Sequence, residues 1–217
     1  MPSEKYTTYL SRTAQLHKAV ARHRDSLEIQ NHPRVILSFK SGCLSLELAA
    51  GTLRLAQDGN VSSAMALIRP QFESVVRGMW LLYSASDDWI AKLSQPLTVE
   101  AAKEGNKAPM LKQMLEDLSK QTDARLRFMV RQLQEFQELG KVVLNSFTHG
   151  GMVPLARIGD TYPEWMVMNA MQNSNGVVAI SAQLLSVLTA DERNMVPVRK
   201  LYDDFQDCFK FERDSFG

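Results

Sequence analysis

The chain has 217 residues, 45% of them hydrophobic, which is enough for one substantial core and short of two ordinary domains. Its 25 Lys and Arg face 24 Asp and Glu, so no global field draws it to nucleic acid, although a local patch can still act. Two cysteines, Cys43 and Cys208, exclude a disulfide framework; no unbroken apolar run nears about 18 residues, and the N-terminus lacks the apolar core of a secretory signal, so a cytoplasmic protein without a membrane span is expected.

The periodicity is helical nearly throughout. Residues from about 4 to 29 read as a polar, peripheral first helix. The first forty residues are basic: Lys5, Arg12, Lys18, Arg22, Arg24, Arg34 and Lys40 face only Glu4, Asp25 and Glu28. "HPRV" opens a very apolar second helix, with Pro33 tolerated in its first turn, running to about Asp58. "DGN" at 58–60 is a turn, and Asn60 is a good N-cap for a third helix through about Ser86. From 87 to 121 the pattern weakens at "SQP" and "EGNKAP", as in a flap with short helical pieces. A long helix is expected from about Asp123 to His149, with Leu126, Met129, Val130, Leu133 and Phe136 keeping three-four spacing. "THGGMVPLARIGD" reads as loop. "TYPE" at 161–164 reads as a capping box for a helix to about Leu188, and "TADE" at 189–192 repeats it for a last helix that Pro197 should kink or split. The expectation is one all-α domain over 1–217, a bundle of about six main helices with an irregular segment at 87–121.

The stretch "ALIRPQFESVVRGMWLLY", 66–83, carries charge where a packed helix should be apolar. With Arg69 at zero, Glu73 falls at about 40°, Arg77 at about 80° and Trp80 at about 20°, all on one face. Apolar or small residues flank that face on both sides. As a strip that touches water, Glu73 with the two arginines makes ordinary i,i+4 pairs worth about 0.3 kcal/mol each. As the wall of a cleft, Glu73 holds two guanidinium groups for a phosphate or carboxylate, with Trp80 as a stacking wall. Pro70 also frees the carbonyl of Ala66. Lys40, Glu47 and Arg54 form a similar line on the second helix, read as a solvated strip.

His149 closes the longest amphipathic helix, one turn after Asn145, and "GG" supplies a left-handed cap. A cap gaining from the helix dipole and a general acid in a site are both open readings. There is no phosphate-loop, dinucleotide, nucleophile-elbow or zincin motif, and no zinc spacing, so neither a metal nor a cofactor is expected. "HKAVARHR" from His17 reads as a solvated surface, with phosphate contact as the minority reading. "MQNSNG" at 171–176 places amides inside a helix, lining a polar pocket or marking a break.

The pairing of "ALIRPQFESVVRGMWLLY" with "SFTHGG" resembles a family of bacterial all-helical proteins related to the HEPN superfamily, over roughly residues 35 to 190. Many members of that superfamily are metal-independent ribonucleases of toxin–antitoxin and phage-defence systems, often dimeric, in which an Arg and a His on one helix act at the RNA 2′-hydroxyl and phosphate. This sequence departs from that signature: Arg127 and Arg131 lie far too many residues before His149, so only Arg69 or Arg77 from another helix can take the missing role. Three functions follow. In the first, Arg69 and Arg77 stabilise an anion, Glu73 orients them and His149 is general acid or base, with Trp80, Asn145 and Thr148 around them, on RNA or a phosphate-bearing small ligand. In the second, the same residues bind without catalysis or form a homodimer. In the third, the triad is structural in an interaction module.

Overall fold

The computed structural model describes residues 2–157 and 159–209, with the side chains of 124, 125 and 139–142 outside the described set. It is all-α, with no strand among the described residues. Six helices reach ten residues or more: α1 (Glu4–Asp25), α2 (Pro33–Gln57), α3 (Val61–Tyr83), α7 (Ala124–Thr148), α9 (Glu164–Val187) and α10 (Met195–Asp204). Short helices α4 (Asp87–Leu93), α5 (Val99–Gly105) and α6 (Leu111–Ser119) occupy the irregular segment, α8 (Met152–Arg157) follows α7, and α11 (Gln206–Phe209) closes the described chain. None of the described helices is long and apolar enough to cross a membrane.

α2 and α3 form an antiparallel hairpin because only three residues join them. Gly59, at φ 78°, takes the left-handed position, and the Asn60 N–H closes α2 onto Leu55 O at 2.8 Å. α9 lies across both members of the hairpin, α1 packs on the outer side of α9, and α10 and α11 return against α1 and α9. α7 and α6 cover the other flank of α3. The largest apolar cluster joins these layers through Val75, Val76 and Met79 of α3, Leu118 of α6, Leu133 of α7 and Leu184 of α9, all fully buried. Gly42 and Gly78 allow the close crossing. A Cβ at Gly78 would stand 2.8 Å from Leu184 Cδ2 and 3.2 Å from Ser38 O, and the Ser38 hydroxyl donates to Gly78 O at 2.8 Å.

Several expected boundaries move for identifiable reasons. Asn60 precedes α3, but its side chain makes no capping bond. The "TYPE" box does not form: α9 begins at Glu164 behind Pro163, which has no N–H for a reciprocal cap. Glu164 instead accepts from the Ser3 N–H at 2.7 Å and from the Ser3 hydroxyl, tying the start of α1 to the start of α9. In "TADE" it is Asp191 that caps, accepting from Arg193 N at 3.0 Å, and the turn it opens is a 3-10 segment (Glu192–Asn194). Pro197 falls in the first turn of α10, where its missing N–H costs nothing, so it neither kinks nor splits that helix. The expected loop after α7 contains α8, whose Val153 N–H donates to Ser146 Oγ at 3.0 Å.

α1 is polar yet not peripheral. His17 and His23 both face α9: His17 Nε2 lies 3.0 Å from Asn175 Oδ1, and His23 Nε2 lies 2.7 Å from Ser186 Oγ. "HKAVARHR" is therefore not a solvated surface throughout. The amides of "MQNSNG" neither break α9 nor line an open pocket. Asn175 donates to Thr13 Oγ1 and Cys208 O, and Ser174 exchanges bonds with buried Gln71, Ser174 Oγ to Gln71 Oε1 at 2.7 Å and Gln71 Nε2 to Ser174 O at 2.9 Å. Buried amides need such partners, and here the partners come from three other helices.

Candidate functional site

Pro70 shapes the middle of α3. It has no N–H, so Ala66 O loses its helical partner. The Thr148 hydroxyl from the end of α7 stands 3.4 Å from that oxygen while also bonding Leu144 O at 2.9 Å. Thr148 is thus a structural contact between α7 and α3. Phe147 anchors the same crossing among Met65 and Ile68. One turn earlier on α7, Asn145 reaches the charged face of α3.

Below this crossing α3 and α7 separate, and a cleft of about 290 Å³ opens between them. α3 contributes Arg69, Phe72, Glu73 and Arg77 to its wall. α7 contributes Phe136, Gln137, Leu144 and Asn145. The start of α6 closes one end with Met110, Leu111 and Lys112. Phe72 and Phe136 stack with ring centroids 4.6 Å apart, giving the cleft an apolar floor. The expected flap is therefore a wall of the site, built from the first turn of α6.

The charges in the cleft do not balance. Arg69 Nε donates to Glu73 Oε1 at 2.8 Å, an i,i+4 pair with Arg69 the more buried partner. Glu73 does not bridge to Arg77, so the expected Arg–Glu–Arg triad is a pair. Arg77 has no ion pair or hydrogen bond among the described residues, although it is half-buried. Lys112 reaches only Glu116, at 3.8 Å. The lining therefore holds three cations and one carboxylate. Asn145 Oδ1 is buried at the cleft without a partner among the described residues.

Besides Thr148, two expected site residues stand outside the cleft. Trp80 is 2% exposed and does not line the cleft. It shares the helix face of Arg69, but three turns further on that face is covered: Trp80 Nε1 donates to Asp117 Oδ2 of α6 at 3.3 Å, and its ring meets Trp89 edge-on at 6.4 Å. Burial alone would raise the Asp117 carboxyl, but hydrogen bonds from Lys120, Gln113 and Trp80 hold it below its ordinary value. His149 is the C-cap residue of α7, exposed, with its backbone N–H on Asn145 O at 3.0 Å. Gly150 at φ 62° and the Gly151 N–H on Ser146 O complete a helix-ending motif around it. His149 is not among the cleft residues.

The basic N-terminal residues form no free patch as a group: Arg12, Arg24 and Arg34 are tied to Asp207, Asp25 and Asp87. Arg34 also donates to Leu81 O and Ala85 O, closing the end of α3. Lys40, Glu47 and Arg54 are exposed, as the solvated-strip reading expects. No group of three metal-ligating side chains occurs among the described residues.

Lys112 and Phe136 were not singled out from the sequence. A lysine in the first turn of a helix opposes the helix dipole, and that mismatch is the one signal that could have marked Lys112 as part of an anion site. Phe136 read simply as core.

The model of a family of unknown function, DUF6988, matches residues 42–211, which spans α3, α6, α7 and the whole cleft. No curated protein and no solved structure shows a significant match to the chain.

Proposed function

We propose that this chain, which belongs to the DUF6988 family of unknown function, is a binding protein for a small anionic ligand, phosphate- or carboxylate-bearing, held in the cleft between α3, α6 and α7. The observation that carries this reading is Arg77: a half-buried guanidinium in an open cleft with no acceptor among the described residues. Leaving such a group without a counter-charge is costly, and an arginine fork fits two oxygens of a phosphate or carboxylate. Arg69 is oriented by Glu73, so it presents its remaining N–H groups in a defined direction. Phe72, Phe136 and Leu144 give the ligand an apolar surface.

The position of His149 outside the cleft favours binding over catalysis. A general acid must come within hydrogen-bond reach of the reacting atom. A ribonuclease using Arg69 or Arg77 with His149 is the reading this geometry supports less.

The test is calorimetric titration with inorganic phosphate, phenyl phosphate and benzoate, beside incubation with RNA. Arg77→Ala should weaken the bound anion about tenfold to a hundredfold, the range of a charge-assisted bond. Its stability should stay within about 0.5 kcal/mol, since the guanidinium holds nothing else in place. Anion affinity unchanged by Arg77→Ala would falsify the reading. RNA turnover that disappears in His149→Ala would replace it with the enzyme reading.

A further inference from the structure

Building on the anion-binding reading, we infer that the cleft takes one small, end-to-end polarised molecule: an acid at the Arg77 end, an apolar middle, and a hydrogen-bond donor at the Asn145 end.

The register of the helices sets these ends. Trp80 Nε1 bonds Asp117, and Gln121 Nε2 bonds Ser84 Oγ at 3.2 Å. Both pairs are separated by 37 residues, so α6 runs parallel to α3. Extending that register toward the start of α6 places Met110 to Lys112 beside Glu73 to Val75, within a turn of Arg77. α7 runs the other way: Thr148 meets Ala66, and Phe136 stacks on Phe72. Asn145 therefore lies at the Arg69 end. Arg69 and Arg77 are eight residues apart, about 12 Å along the axis.

The two ends differ in charge. At the Asn145 end, Arg69 is neutralised by Glu73. The second carboxylate oxygen of Glu73 stays open to a donor, its side chain being 38% exposed. Asn145 Oδ1 adds a second acceptor with no donor among the described residues. Toward the other end, Arg77 has no counter-charge among the described residues, the exposed Lys112 reaches only Glu116 at 3.8 Å, and α6 begins about one turn before Arg77 in this register. Met110 caps α6 without a side-chain bond, so the first N–H groups of the helix have no partner from the cap. Cations and a helix start together select an oxyanion. The middle is Phe72, Phe136 and Leu144. A cleft of about 290 Å³ holds one such molecule, not a length of polymer.

The experiment uses the whole chain and four probes: inorganic phosphate, phenyl phosphate, 4-aminophenyl phosphate and a single-stranded RNA oligomer. Phenyl phosphate should bind about tenfold tighter than inorganic phosphate. The amino group should add a further gain of about fivefold. Asn145→Ala should remove only that last gain, and Arg77→Ala should weaken all three phosphates alike. Asn145 Oδ1 bonds nothing among the described residues, so the variant should fold; its denaturation midpoint checks this.

Phenyl phosphate no tighter than inorganic phosphate, or an amino-group gain that is absent or survives Asn145→Ala, overturns the polarised molecule. If Arg77→Ala still weakens the phosphates in that case, the anion-binding reading stands. RNA binding tighter than every small phosphate, with a steep salt dependence, overturns the single-molecule occupant. No binding by any phosphate overturns both.

Discussion

His17 is held inside the fold as a neutral base. Asn175 spends its amide hydrogens on Thr13 and Cys208 O, so its oxygen must accept, and His17 Nε2 must carry the proton. Nδ1 then keeps a lone pair that no donor among the described residues meets. Burial pushes the His17 pKa down to about 4, more than the bond to Asn175 recovers. Burial also lowers the pKa of His23. Unfolded, a histidine titrates near 6.5. Between about 6.5 and about 4 the unfolded chain binds a proton that the native state refuses, so stability is full above that window and is lost as pH falls through it. The loss from His17 is on the order of 2–3 kcal/mol. Urea midpoints between pH 7.5 and 4.5 should show it, and His17→Gln should flatten the curve. An equal slope in the variant would mean other groups carry it.

At the scale of elements, the crossing of α2, α3 and α9 depends on missing side chains. Gly78→Ala places a methyl against Ser38 O, which is backbone and has little room to move. Overpacking of this kind costs about 1–3 kcal/mol, against a gain of about 1 kcal/mol from better helix propensity. The expected result is a net loss near 1 kcal/mol. At Gly42 the nearest atom is the tip of Leu185, 2.8 Å away and able to rotate, so Gly42→Ala should cost less. Chemical denaturation of the two variants decides the order; the reverse order would place the strain elsewhere. Neither glycine announces this role, because both sit inside regular helices at ordinary φ. The caps were half legible for the same reason. "TYPE" has the right residue types for a box, but Ser3, 161 residues away, competes for Glu164 and wins.

For the molecule as a whole, α1 is the informative piece. It lies outside the matched residues 42–211, and its sequence is polar. Yet it buries Leu10, Leu16 and Val20 and covers Val178 and Ala182 of α9. Tyr9 donates to Cys208 O at 3.1 Å, and Arg12 pairs with Asp207 at 2.7 Å, so both ends of the described chain meet on this helix. Burying three aliphatic side chains is worth about 5 kcal/mol or more. That is comparable with the whole stability of many domains. Removing residues 1–26 should therefore abolish cooperative unfolding or lower its midpoint sharply, as read by circular dichroism during urea titration. A truncated chain that unfolds at the full-length midpoint would show α1 to be an ornament.

The amino-acid pattern by itself determined the helices: their period, their approximate ends, and the anomalous charged face on α3. Those are local properties, written in spacings of three and four residues and in turn chemistry. It also brought Arg69, Glu73, Arg77 and Asn145 forward as candidates. Only the tertiary structure decided which of them meet. A helical face is a direction, and whether it opens on a cleft or a neighbour depends on what packs there at each turn. At Arg77 the neighbour is absent and a hollow remains; at Trp80, one turn later, α6 has closed over it.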